Sequence, residues 1–485
     1  MIRRAIIQSA GLAVLVVLCL TGSSACKSGE VSNPPNILII TTDQQHARLM
    51  SCAGEEFVST PNMDRLAASG VRFENAYCAN PVCVPSRYSM ITGYMPHVFD
   101  GLESNRKTTN VKPLVNDYIN TSPMGWIFRN AGYETVYGGK FHVEGSWGFT
   151  EEKEKVFGFT PLSGDAKEIL AQDCSEFFER EHDRPFLMWA SFINPHDICN
   201  FPFMGYADMD HPYTQKLHKG LQNLHQQFPD KPLPPLPGNF EPTENYIDWI
   251  EHFQQGEIDG TGLNAVFGSH AHTWSNDLWQ EYRWAYRRYM EDVDAQVGIL
   301  LDGLREAGLE ENTVIVFTSD HGDHDGAHRL TMKRSFYEES VNIPLIVCGP
   351  GVKNSGSVNT TGLISNGIDL IPTLCDYAGI EVPEGLEGES FKGLVEGLDN
   401  WQRDYVVSQT NTGRMLRTAQ YKYTVYFKDG NSGEQLFEME NDRNEMNNLA
   451  NDARYGDILQ EHRDKLKHWL IENRDTRGLR YLAGI

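Results

Sequence analysis

Four short apolar runs, each closing on a cluster of polar residues, constrain this chain more than any other feature. Asn36 to Ile40 leads into Thr41, Thr42, Asp43 and Gln44, and Thr135 to Tyr137 leads into Gly138, Gly139, Lys140, Phe141 and His142. Pro185 to Phe192 leads into Asn194, Pro195, His196 and Asp197, and Thr313 to Ser319 leads into Asp320, His321, Gly322 and Asp323. Unbroken apolar runs of this length, rich in β-branched residues, suit strands buried on both faces, as in a parallel sheet. Ligands of open α/β sheets bind in the crevice beyond the carboxyl ends of the strands. Neighbouring parallel strands would therefore bring Asp43, Gln44, Lys140, His142, His196, Asp320 and His321 to one crevice.

The rest of the chain is read around that sheet. Helices are predicted from Thr60-Pro61 onward, with Leu66, Ala67 and Val71 on one face, around Trp126 to Ala131, from Trp284 to Ala307, and from Ile368 to a stop at Gly379. Pro344 to Cys348 is a fifth strand. The stretch from His196 to Trp284, with its Lys231-to-Pro237 proline run and Tyr246 to Phe253, reads as irregular and as a rim for substrate access. From about Trp401 the texture changes to short strands, Met415 to Ala419, Tyr421 to Phe427 and Gln435 to Met439, then a helix over Ile458 to Glu472. The expected fold is α/β: a large mixed, mostly parallel sheet flanked by helices over residues 34–395, and a smaller α+β subdomain with a short antiparallel sheet over 396–485.

The 485 residues carry a formal charge of −24, which excludes a nucleic-acid partner because phosphate binding needs clustered Lys and Arg. An anionic substrate would need a local cationic pocket. Residues 1–26 read as an export leader: Arg3-Arg4, an apolar run from Leu12 to Leu20 too short to span a bilayer, and Ser23-Ser24-Ala25-Cys26, which resembles a lipoprotein cleavage box with a lipid anchor at Cys26. Seven further cysteines, Cys52, Cys78, Cys83, Cys174, Cys199, Cys348 and Cys375, are too few for a disulfide scaffold in a chain this long, although a bridge or two among them stays open.

Cys83-Val84-Pro85-Ser86-Arg87 is the second constraint. Pro85 and Ser86 suit the opening turn of a helix, with Pro85 expected at its first position. Cys83 then sits at the helix mouth, where free amides favour anionic groups, and Arg87 projects from the same face one turn later. Asp43-Gln44 and Asp320-His321 together form a divalent-metal pattern split over two strand ends. Oxygen donors suit Ca²⁺ or Mg²⁺, and the imidazole also admits Mn²⁺ or Zn²⁺.

These segments resemble the type I sulfatases of the alkaline phosphatase superfamily. The resemblance rests on Cys83 to Arg87 with Thr92-Gly93, Gly139 to His142, Pro195-His196, Ser319 to Gly322, Lys333 ahead of Tyr337 to Ser340, and a tail motif at Gln435 to Phe437 and Asn441 to Leu449. It implies an alkaline phosphatase-like fold and an exported sulfatase acting on sulfate monoesters, with O-sulfated carbohydrate as the substrate class. It also implies that a maturation enzyme oxidises Cys83 to formylglycine, whose hydrate attacks sulfur and then collapses to expel sulfate. One Ca²⁺ would be held by Asp43, Gln44, Asp320, His321 and the residue at 83. Arg87 would orient the hydrate, Lys140 and Lys333 would hold sulfate oxygens, His142 would assist deprotonation of the second hydroxyl, and His196 would protonate the leaving oxygen. His97, Asn105, His324 and His328 lie in segments that touch substrate in relatives. Gln44 and His321 stand where many relatives have Asp and Asn; the pairings found here occur in the branch holding choline sulfatases and phosphonate monoester hydrolases. A hydrolase of that kind is the enzymatic alternative, against which Lys140 and His142 argue, and an inactive glycan-binding lipoprotein is the alternative of another class.

Overall fold

In the computed structural model, which describes residues 34–99, 123–143, 149, 151–205, 212–242, 271, 273–398, 401–428 and 431–485, the four apolar runs are four adjacent parallel strands. They are β1 (Asn36–Asp43), β4 (Glu134–Gly139), β6 (Phe186–Pro195) and β7 (Thr313–Ser319). With β2 (Val71–Phe73), β5 (Thr160–Ser163), β8 (Leu345–Cys348) and β9 (Ser357–Asn359) they form one sheet in the order β5-β4-β6-β1-β7-β8-β2-β9. Only β8 runs against its neighbours. The runs lack polar alternation because both faces are covered. Ile37 and Ile39 enter one apolar cluster with the helices Cys83–Thr92, Met124–Asn130 and Asn366–Ala378. Leu38 and Ile40 enter the other with Pro61–Ser69, Leu170–Phe178 and Asn276–Glu306.

Register aligns the strand ends. Gly139 and Thr41 both pair with Ser191, and Thr41 also pairs with Thr318, so one level crosses four strands. The residues just beyond that level are Lys140, Asp43, His196 and Asp320.

After β3 (Ala76–Tyr77) and β10 (Ile364–Ser365), a short parallel pair, comes an antiparallel four-stranded sheet. Its strands are β11 (Tyr405–Thr410), β12 (Gly413–Thr418), β13 (Tyr421–Lys428) and β14 (Asn431–Glu438). Leu416, Tyr423, Val425 and Leu436 pack on the helices Gly456–Glu472 and Thr476–Leu482. Val406, Met415, Tyr426 and Phe437 pack into the apolar cluster of the main sheet, so Pro34–Ile485 forms one compact unit.

Several expectations shift. The long helix begins at Asn276, eight residues before Trp284, where the Ser275 hydroxyl caps it by accepting from the Leu278 amide at 3.3 Å. The stretch before it is not irregular throughout: it contains a 3₁₀ segment at His196–Gly205 and a helix at Pro212–Gln227 whose side chains are largely polar. Val71 belongs to β2, leaving Met63 and Leu66 as the buried residues of Pro61–Ser69. Pro85 occupies the third helical position, not the first. Its missing N–H is still one of the four a helix start leaves without a partner, so it costs nothing there. All seven cysteines are free thiols, so none forms a bridge. The leader with Cys26, Asn105 and Tyr246 to Phe253 lie outside the described residues.

Candidate active site

The helix Cys83–Thr92 is buried along its whole length and ends at Gly93, whose φ of 76° caps it in the left-handed region. Its N-terminal turn places Cys83 at the crevice, 1% exposed. The Cys83 Sγ lies 3.1 Å from Lys333 Nζ, 3.2 Å from His321 Nε2 and 3.8 Å from Asp43 Oδ1. His142 and His196 also hydrogen-bond it. One turn on, Arg87 reaches back under the cluster. Its Nε donates to Asp320 Oδ2 at 2.8 Å and its Nη2 to Asp43 Oδ2 at 2.8 Å, while Nη1 bonds the Lys140 carbonyl at 2.7 Å and Ser191 Oγ at 2.8 Å. Four strands and a helix are thus tied by one guanidinium.

Arg87 takes the outer oxygen of each carboxylate and leaves both Oδ1 atoms turned inward. Ligand atoms of Asp43, Cys83, Asp320 and His321 all lie within 4.8 Å of one another, and all four residues are buried. His321 Nδ1 donates to the Gly322 carbonyl at 2.9 Å, which leaves the Nε2 lone pair facing the cluster, the tautomer a metal ligand needs. Gln44 sits beside them: its amide N–H donates to Asp320 Oδ1 at 3.1 Å, and its side-chain oxygen accepts from Lys333 Nζ at 2.6 Å. Two carboxylates, an amide oxygen and an imidazole suit a hard divalent ion. The ten residues to which the sequence assigns catalytic or metal-binding roles meet in this pocket.

The family model for sulfatases matches residues 35–380, and that for the C-terminal part of N-sulphoglucosamine sulphohydrolase matches 326–472. The chain belongs to the sulfatase family of the alkaline phosphatase superfamily. It is 33% identical to a Δ4,5-hexuronate-2-O-sulfatase of Bacteroides thetaiotaomicron over 94% of this chain and 92% of the relative. It is 28% identical to an N-acetylglucosamine-6-O-sulfatase of the same organism, over 93% and 89% of the two chains. A solved 2-O GAG sulfatase superposes with a TM-score of 0.75 at 32% identity, covering 91% of this chain and 93% of that one. As a sulfatase this protein is a sulfuric ester hydrolase.

The charges of the sulfatase pocket are unequal. Burial and the neighbouring Cys83 push Asp43 up, but Lys140, whose Nζ is 2.6 Å from Oδ2, with His196 and Arg87, holds it well below the usual carboxylate range. Burial and the Asp43 charge push Asp320 up to about 6. One acid stays ionised at the expense of the other, and an added cation would relieve that conflict. Burial also raises the Cys83 thiol, yet Lys140, Lys333 and His321 outweigh it and hold it well below the ordinary thiol range. Burial, joined by Lys140, lowers His196 to about 4. Burial lowers His142 as well.

Other residues that serve the pocket were not legible in advance. Ser191 receives Arg87; Asp323 accepts from Gln44 Nε2 at 2.6 Å; the Cys199 thiol donates to Gln44 Oε1 at 2.8 Å; and Asn366 Nδ2 donates to the Ser319 carbonyl at 2.8 Å. No spacing rule connects positions so far apart, although Asp323 falls in a polar cluster already marked by its strand. The further histidines lie in other contacts. His97 holds Gln409 and the Asn473 carbonyl, His324 meets Ser335 Oγ at 2.7 Å, and His328 stacks on Tyr337 at 3.8 Å. None of these contacts reaches Cys83.

Proposed function

We propose that this sulfatase removes sulfate from O-sulfated saccharides of the glycosaminoglycan type, using formylglycine at position 83 and one divalent cation, Ca²⁺ foremost. The observation that carries the reading is the position of Cys83 between Lys333, His321 and Asp43, with Arg87 locking both carboxylates behind it. The saccharide part rests on relatives that act on hexuronate 2-O-sulfate and N-acetylglucosamine 6-O-sulfate.

Oxidised by a formylglycine-generating enzyme, position 83 would carry a hydrated aldehyde, a nucleophile with a second hydroxyl through which sulfate can leave. A cation held by Asp43, Gln44, Asp320 and His321 would add positive charge at the ester and lower the pKa of the attacking hydroxyl. Lys140 and Lys333 supply the local positive field that a chain of charge −24 otherwise lacks. His142, kept neutral by burial and hydrogen-bonded to position 83, can take a proton from the second hydroxyl. His196, lowered to about 4 by burial and so neutral near pH 7, regains basicity when an anionic ester enters beside it and can then protonate the leaving oxygen. The leader pattern supports export with a lipid at Cys26, which fatty-acid labelling lost in Cys26→Ala would test.

Mass spectrometry of the active protein should find the residue-83 peptide about 18 Da lighter than the thiol form. Sulfate release from unsaturated hexuronate 2-O-sulfate and glucosamine 6-O-sulfate saccharides should fall on chelation and return with Ca²⁺. Release from choline sulfate or an aryl phosphonate, with none from any saccharide, would overturn the substrate assignment.

A further inference from the structure

Gln44 is gripped at both ends of its side chain. Its nitrogen donates to Asp323 Oδ2 at 2.6 Å, and its oxygen accepts from Lys333 Nζ at 2.6 Å and the Cys199 thiol at 2.8 Å. The backbone is as tightly set, in the left-handed region at φ 70°, with its N–H on Asp320 Oδ1 and its carbonyl receiving the Tyr286 hydroxyl. Asp323 is fully buried and spends its other oxygen on the Tyr282 hydroxyl at 2.6 Å and the Asp325 amide at 2.8 Å.

We propose that Asp323, backed by Tyr282, is a positioning residue that turns the Gln44 carboxamide so that its oxygen faces the cation. The inference rests on the cation reading given above. The two ends of a carboxamide are nearly the same size, so packing alone does not decide which faces inward. Asp323 accepts at both oxygens, from Gln44 Nε2 on one and from the Tyr282 hydroxyl and Asp325 amide on the other, and so meets the NH₂ end. Lys333 and Cys199 favour the same orientation from the opposite side. Lys333, however, is the group assigned to sulfate, and once it turns to substrate Asp323 becomes the principal constraint. The bond to a carboxylate also draws electron density toward Gln44 Oε1 and makes it a better ligand, as outer partners do at metal sites. Position 44 thereby gains part of the anionic character that a neutral side chain lacks.

The test is Ca²⁺ titration by calorimetry on the chelator-stripped full chain, comparing wild type, Gln44→Ala, Asp323→Asn, Tyr282→Phe and the Gln44→Ala/Asp323→Asn double variant. Asp323→Asn is expected to weaken Ca²⁺ binding about 10- to 100-fold, and Tyr282→Phe by a few-fold. The double variant should bind within about twofold of Gln44→Ala, because Asp323 acts through Gln44. Wild-type affinity in Asp323→Asn, or losses that multiply in the double variant, would overturn the inference alone. If Asp323→Asn does not fold, Tyr282→Phe with and without Gln44→Ala makes the same comparison: a few-fold loss that disappears in the Gln44→Ala background supports the inference, and no loss, or an equal loss in both backgrounds, overturns it. A wild type that binds no Ca²⁺, Mg²⁺ or Mn²⁺ would overturn the cation reading and this inference with it.

Discussion

Arg87 serves Asp43, Asp320, Ser191 and the Lys140 carbonyl at once, and no other cation could. A lysine there has one compact ammonium for four acceptors spread over a planar fork. Arg87→Lys should cost about 3 kcal/mol or more in denaturant unfolding, since at least two charged hydrogen bonds go unmade. Turnover should fall more than about tenfold as the two carboxylates lose their common alignment. Near-wild-type values in both measurements would show that the fork geometry is not needed. A second residue-level expectation concerns His328, which burial, and then Lys422, lowers to about 3. An unfolded imidazole titrates near 6.5. Between those values the unfolded chain holds a proton that the folded one does not, so His328 costs stability as pH falls, by on the order of 4 kcal/mol at the acid end. Phe at 328 keeps the stack on Tyr337 and removes the titration. The stability of wild type minus His328→Phe should be level above about pH 7 and decline steadily from about pH 6 to 4. A level difference across that range would refute the burial argument. Reading Arg87 from the sequence was possible because it stands four residues from Cys83; Asp323 and Cys199 had no such local relation to Gln44.

The elements that were legible are those whose environment is uniform. β1, β4, β6 and β7 are covered on both faces, so their composition is apolar throughout and their ends stand out as polar breaks. β11 escaped notice because Ser408, Gln409 and Thr410, though buried, are polar, and Gln409 is held by the Ala79 carbonyl and Asp475, far away in the sequence, in a way no local pattern encodes. The helix Pro212–Gln227 was missed for a different reason: most of its described residues are exposed and polar, and Leu224 is the buried apolar residue among them. Where β4 meets β6 the strands leave no room at Gly139, which has a φ of 91° and would carry a Cβ only 2.1 Å from the Ser191 carbonyl. Gly139→Ala should therefore push β4 off β6 just ahead of Lys140. We expect a loss of about 2 kcal/mol or more, from left-handed strain plus the clash, and a larger proportional loss of sulfate release than of folded protein. Equal melting curves and rates would show that the strand edge yields without cost.

Across the whole molecule, the antiparallel sheet reaches the pocket through the segment that bears Lys333. Lys422 on β13 pairs with Glu338 at 2.9 Å and Glu445 at 2.5 Å, fully buried, while Arg417 meets Tyr77 at 3.0 Å and the Tyr426 hydroxyl receives the Phe336 amide at 2.9 Å. Lys422→Met would leave two buried acids facing each other, and removing one partner of a buried ionic group costs about 3–5 kcal/mol. The loss should appear in a single unfolding transition of both sheets, with sulfate release impaired although residue 422 touches no substrate. Two separate transitions would show that the sheets fold independently.

The burial of position 83 also sets an order of events. With 1% of its surface open and Lys333, His321 and Asp43 packed around it, the thiol is out of reach of another protein's active centre once the sheet has closed. On the formylglycine reading proposed above, conversion would have to come while the chain is still loose, and a molecule that folds first would be locked as an inert copy. The yield of working enzyme would then be decided by a contest between two rates, maturation and folding, before any substrate is met.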